Sequence, residues 1–353
     1  MMDLSTPVDS VFTRGLPKVE LHAHLSGSIS RQCLHEIWAL KRARDPTFPI
    51  EDPLVLMPPG KVDYTLQTSS PNSYTSYAVI WKASSMQLTP YWKTFVTTES
   101  NTWNYGPFHV QPPSSNITRE EYLNTVLDVV ETFKAKNTIM SVFLILALDR
   151  GNTTAAEATE IVDLAIANKS RGVVGVDLCG NPTQGDVNLY RPAFARAKSH
   201  GLGVTLHFAE TAASGTPSEL ADLLSFQPDR LGHVIHVPDD VKREIARQRL
   251  GLELCMSCNV HAKLIDGGFL NHHFGHWRHT DCPIALCTDD VGLFCSPVSN
   301  EYLLASEHFG LGRADLLHLC RKSVDAIFGG ELEKQRLRER LDAFAGQDSG
   351  VGG

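Results

Sequence analysis

Three things are missing from these 353 residues: an apolar run long enough to cross a bilayer, a surplus of basic charge, and a second C-x-x-C pair. A membrane-spanning helix needs about 20 consecutive apolar residues. Residues 1–13 also lack the basic-then-apolar pattern of a secretory leader, so a cytoplasmic location and no membrane partner are expected. With a net charge of −8 and no basic stretch, nucleic acid is not the expected partner. The eight cysteines are then expected to be free thiols. Cys255 and Cys258 form a lone C-x-x-C in the strand-like run LELCMSCN, where buried core thiols are expected rather than zinc or redox chemistry. What the chain does have, 42% hydrophobic and 20% charged residues, suits a soluble globular protein with a sizeable core.

Segments 1–16 and 45–60 read as lead-in and proline-rich loop, with a helix between them at 29–39. From Thr118 onward strands and helices alternate. Thr118-x-x-Glu121 is a capping box, followed by Leu123, Val126, Leu127, Val130 and Phe133 at helical spacing. Apolar strands are expected at 141–149, 172–180, 203–210, 230–236, 251–257 and 283–290, with helices at 155–167, 192–200, 218–225 and 239–249 between them. A short strand at 19–21 precedes them all. Continuous apolar strands separated by helices imply a parallel sheet covered on both faces. Seven strands are visible, and 120 residues separate Leu21 from Ser141, a gap with room for one more strand and helix. Seven plus one is a (β/α)8 TIM barrel, whose active site lies at the carboxyl ends of the strands. One domain spanning 1–353, with its core at 14–345, is expected.

Polar residues interrupt these strands at that end. His22 and His24 follow the first strand, and residues i and i+2 of a strand share a side. By itself an H-x-H pair is weak, since 15 histidines in this length give about 0.6 such pairs by chance. A strand-end histidine is often a structural residue, and a strand-end aspartate is often a helix cap. Five strands delivering His or Asp to one face of a barrel is another matter: Asp149, His207 with Glu210, His233, and Asp289-Asp290 join the pair. Three histidines and a carboxylate can hold a divalent cation with room for a water. Such an ion lowers the pKa of its water toward neutrality and makes a nucleophile. Glu210 can then donate or accept a proton, His233 can orient or deprotonate the water, and Asp290 can orient water or substrate.

The segments PKVELHAHLSGS, GVDLCGNP, LHFAET, DRLGH and CTDD resemble the adenosine/AMP deaminase family of metal-dependent hydrolases. The resemblance covers 14–66 and 114 to about 345. It implies one Zn2+ held by His22, His24, His207 and Asp289, with Glu210 as the proton shuttle to the purine ring nitrogen. His233 is implied as partner of the hydroxide, Asp290 as a substrate and water contact, and the Gly180 backbone as a support for the purine. HAHLSGSIS, LALDRG, LELCMSCNV and the HHFGHW loop look most like the adenosine deaminase-like subgroup, which converts N6-methyl-AMP and water to IMP and methylamine. There Asp149 also lines the substrate site, together with His24 and the position of Ser26, which is typically Asn. A small purine nucleotide or nucleoside as partner and a monomeric chain are the corresponding expectations. The alternatives are adenosine deamination to inosine, or a catalytically impaired relic with an intact metal site. Zinc deaminases of another class pair H-x-E with P-C-x-x-C, and neither motif is present.

Between Ser69 and Pro112 the resemblance fails. The family's second strand, of the type YLELR-T-PR, is absent, and its arginine is expected to face the 5′-phosphate. Instead the chain reads KTFVTTESNTWNYGPFHV over 93–110. Back-translated and read one base early, this run allows DFRDDGVKYLELRTIPR. Segment 69–112 is therefore expected to be out of frame, and the chain as written to lack one barrel strand, leaving exposed sheet edges.

Overall fold

The computed structural model describes residues 4–57, 102–109, 118–136 and 139–346, with 102–109 described by its backbone. Eight parallel strands run in sequence order: β1 (Val19–Glu20), β2 (Thr102–His109), β3 (Ser141–Asp149), β4 (Val173–Cys179), β5 (Gly203–Phe208), β6 (Arg230–His233), β7 (Gly251–Leu254) and β8 (Ile284–Leu286). Just past the named strands, Ala23 bridges Asp289 in parallel register and closes the ring. The architecture is the expected (β/α)8 barrel.

The expected gap at the second strand is corrected here. Thr102–His109 lies between β1 and β3, with Val19 beside Thr102 and Thr102 beside Ser141. The physical reason is that ladder hydrogen bonds are made by backbone groups, so a run without strand-like side-chain periodicity can still pair. The register slips between Tyr105 and Pro107, where proline has no N–H to give the ladder. The rest of segment 69–112 lies outside the described residues.

Strands β3 to β8 fall where apolar runs predict them, β3 over its full expected range and the others trimmed at their ends. The largest trimming is in β8, which stops at Leu286, and β7 stops at Leu254. Met256–His261 is a short helix, so Cys258 leaves the strand that sequence gives it. The helix Arg119–Lys136 begins at the predicted capping box: the Glu121 N–H donates to Thr118 Oγ1 at 3.2 Å, and the Thr118 N–H donates to Glu121 Oε2 at 2.8 Å. Its Leu123, Val126, Leu127 and Val130 are buried. Ala155–Ala167 carries a second capping box, Thr154 with Glu157, and buries Ile161 and Val162. A short helix at Pro53–Leu56 interrupts the loop expected over 45–60.

The amino-terminal end of the barrel is filled from the carboxy-terminal segment. A Cβ on Gly203 would stand 2.4 Å from Phe328 Cδ2, and one on Gly175 would stand 2.9 Å from the same atom. The Arg230 guanidinium stacks 3.7 Å from the centroid of that ring. Glycines at the starts of β4 and β5 thus make room for Phe328. Gly203→Ala is expected to lower the unfolding free energy by about 1–3 kcal/mol through overpacking, read from urea melts. Unchanged stability would mean that Phe328 is not wedged against β5.

Candidate active site

The site assembles at the opposite end, where the strands stop and the backbone turns hard. Ala209, His233, Val234 and Asp289 all have positive φ, at 51°, 64°, 49° and 58°. Strain of this kind in non-glycine residues persists where surrounding structure enforces it. Here it turns polar side chains inward over the barrel mouth.

His22, from the end of β1, is buried. Its Nδ1 lies 2.7 Å from Glu253 Oε2. Burial alone would raise the Glu253 carboxyl, but the Arg230 charge and the hydrogen bonds from His22 and Thr205 bring it down to about 2. An ionised carboxylate only accepts, so His22 Nδ1 carries the proton and Nε2 keeps a lone pair. Burial and the neighbouring His207 hold His22 below the ordinary histidine range. Its Nε2 is buried with no hydrogen-bond partner among the described residues.

His24 and His207 bring their Nε2 atoms to 3.3 Å from each other. His207 Nδ1 faces Asp177 Oδ2 at 3.0 Å, and His24 Nε2 lies 3.0 Å from Asp289 Oδ1. Burial disfavours the charged form of His24, but the Asp289 carboxylate overrides it and raises His24 to about 10. The spot attracts positive charge.

The donor set fits a divalent cation. Nitrogens of His22, His24 and His207 all lie within 4.8 Å of one another, and Asp289 Oδ1 is 3.7 Å from His22 Nε2. A buried, unpartnered lone pair on His22 and two opposed ring nitrogens are what an ion would satisfy. Carboxylates behind His22 and His207 are the outer partners that metal-binding imidazoles usually have.

Glu210 and His233 flank this group. His233 Nε2 lies 3.9 Å from Glu210 Oε1 and 3.8 Å from Asp289 Oδ2. Asp290, against Gly27, is pushed up to about 7 by burial and by the charge of Asp289, so near neutrality it can accept or donate. Gly180 has φ 96°, and a Cβ there would stand 2.4 Å from Asp149 Oδ1, which juxtaposes these two residues beside the mouth. Asp149 Oδ1 accepts from the Gly151 N–H at 3.0 Å. Ser26 is exposed at the rim.

Sequence reasoning missed the residues behind the site: Asp177, Glu253, Arg230, Asn259 and Cys258. A signal was present for the first two. An ionisable residue inside a fully apolar strand must be paired, and both VDLC and LELC contain one. The buried thiols read for Cys255 and Cys258 are found, but Cys258 Sγ also donates to Asp289 Oδ2 at 2.8 Å.

The sequence profile of the adenosine deaminase family matches residues 17–344. The chain belongs to the adenosine deaminase family. It is an aminohydrolase of that family's (β/α)8 type, a family of metal-dependent hydrolases. An N6-methyl-AMP deaminase of Danio rerio is 29% identical over 345 residues, covering 93% of this chain and 95% of the relative. An N6-methyl-AMP deaminase of Mus musculus is 30% identical over 348 residues, covering 95% and 93%. Among solved structures, the Arabidopsis N6-mAMP deaminase superposes with a TM-score of 0.83 at 28% identity, covering 94% of this chain and 99% of that one. An Arabidopsis relative complexed with IMP gives 0.84 at 27% identity, covering 94% and 98%. No helix among the described residues is long and apolar enough to cross a membrane.

Removing one partner of a buried ion pair leaves the other charge uncompensated. Glu253→Ala is expected to cost about 3–5 kcal/mol of stability, because it strands the fully buried Arg230 and frees His22 Nδ1. A loss below about 1 kcal/mol in chemical denaturation would mean that the pair behaves like one exposed to solvent.

Proposed function

We propose that this deaminase hydrolyses N6-methyl-AMP at purine C6, releasing IMP and methylamine in the cytoplasm as a monomer, with one zinc ion per chain. The observation that carries the reading is the joint presence of the His22–His24–His207–Asp289 cluster with Glu210 and His233 on a chain that aligns end to end with N6-methyl-AMP deaminases. In this reading His22, His24, His207 and Asp289 hold the ion. When bound, the ion lowers the pKa of a water toward neutrality and supplies the nucleophile.

The chain's own residues do the rest. The water oxygen bonds to C6 as Glu210 takes a proton from the water and delivers it to the purine ring nitrogen. The C6–N6 bond then breaks, with the water's second proton passing to the departing nitrogen so that methylamine leaves neutral. His233 orients the attacking oxygen, and Asp290 holds water or substrate. Asp149 and the Gly180 backbone lie together where a purine would rest, with Ser26 and His24 completing the rim.

Steady-state rates on N6-methyl-AMP against adenosine test the substrate. A higher kcat/KM on N6-methyl-AMP is expected, lost on chelation and restored by zinc. A preference for adenosine would replace the substrate, and full metal content with no deamination would mark an impaired relic.

Segment 69–112 belongs to the same reading as a stretch translated out of frame. Support comes from position: codons of Thr102–His109, shifted by one base, allow YLELRTIP, and these residues form β2. Sequencing the transcript across this region is expected to show the shift or a mis-set splice boundary. An in-frame message encoding the residues as written refutes it.

A further inference from the structure

His272 and His273, in the HHFGHW loop, have no part in the chemistry above, yet the loop reaches His233 twice. His273 Nε2 lies 2.6 Å from the His233 carbonyl oxygen. A carbonyl only accepts, and burial holds His273 down at about 3, so His273 carries its one proton at Nε2 and donates it there. The contact pins the carbonyl of a residue whose φ is 64°.

The second route reaches the ring. A backbone N–H can only donate, and that of Phe274 donates to His272 Nδ1 at 3.0 Å. His272 is buried, which holds it well below the usual histidine range, so its single proton sits on Nε2. That nitrogen lies 3.0 Å from Asn259 Nδ2, and Asn259 Oδ1 lies 3.1 Å from His233 Nδ1. As the atoms stand, His272 would accept at both ring nitrogens and have no place for its proton. A half-turn of the carboxamide, which exchanges oxygen and nitrogen in nearly the same space, removes the conflict. His272 Nε2–H then donates to the amide oxygen, and the amide N–H donates to His233 Nδ1. A histidine that accepts at Nδ1 carries its proton at Nε2. In His233 that atom is buried without a hydrogen-bond partner among the described residues. It points into the space shared by Glu210 and Asp289, at 3.9 and 3.8 Å.

The geometry points to His272 and Asn259 as positioning residues that lock His233 in its Nε2–H form, making it a hydrogen-bond donor to the attacking oxygen rather than a base. The inference rests on the proposed site for where that oxygen stands. It removes one of two roles left open for His233 and leaves Glu210 as the group that receives the water's proton.

The test is nitrogen NMR on zinc-loaded protein labelled with 15N-histidine, with His233 assigned by substitution. The expected wild-type spectrum shows a protonated Nε2 and an unprotonated Nδ1. Asn259→Asp replaces the amide with a carboxylate that only accepts, so the protonated nitrogen of His233 should change to Nδ1. Its kcat should fall about 10²–10³-fold, as on losing one preorganised donor, with KM little changed. His272→Gln keeps a donor toward Asn259 and should keep the Nε2–H signature, whereas His272→Phe should let both tautomers appear. A wild-type His233 protonated at Nδ1, or an Nε2–H signature unmoved in both Asn259→Asp and His272→Phe, overturns the inference. If the tautomer changes as expected but neither N6-methyl-AMP nor adenosine is turned over, the relay stands and the functional reading fails.

Discussion

Most of the site depends on the seam where β8 meets β1. The Asp289 N–H donates to the His22 carbonyl at 2.8 Å, and the His24 N–H donates to the Asp289 carbonyl at 3.0 Å. These two backbone bonds close the barrel and set three of the four candidate ligands side by side. Glu20 clamps the seam from within, its carboxyl accepting from the His22 N–H at 3.0 Å and the Thr288 N–H at 3.1 Å. Burial raises Glu20 to about 7 despite those bonds. The closure of the fold and the construction of the site are therefore one event. A barrel open at this seam would not bring His24 to Asp289.

Behind the seam lies a layer of buried polar groups whose purpose is orientation. Glu253 takes hydrogen bonds from His22, Thr205 and Arg230, and Arg230 Nη1 donates in turn to the Ala326 carbonyl at 3.1 Å. The chain of contacts runs the depth of the barrel, from the carboxy-terminal segment to a candidate ligand. Each step joins a donor to an acceptor with defined protons, which is the condition under which buried polar networks rigidify a structure. Gly232 contributes by absence: a Cβ there would stand 2.7 Å from His22 Cε1.

Much of this was legible in the chain. Apolar strands ending in His or Asp place His22, His24, His207, His233 and Asp289 at one end of a barrel, because strand period and parallel topology leave few other arrangements. Two things were not legible. The strand Thr102–His109 has no strand-like pattern, since backbone pairing is indifferent to side-chain periodicity. The outer partners Asp177 and Glu253, on strands, and Asn259, on the short helix Met256–His261, meet the histidines only after closure, across separations such as the 231 residues between His22 and Glu253. Sequence shows that a buried acid needs a partner, but not which one.

Phe328 and Arg230, wedged below β4 to β6, have a consequence for traffic. Among the described residues, a barrel stoppered at its base leaves the strand-end rim as the way in and out. Substrate, water and both products of a hydrolysis must pass the same rim, so neither product can leave by a back exit while the other is still bound. Where one product sits deeper than the other, it can leave only after the one nearer the rim has gone.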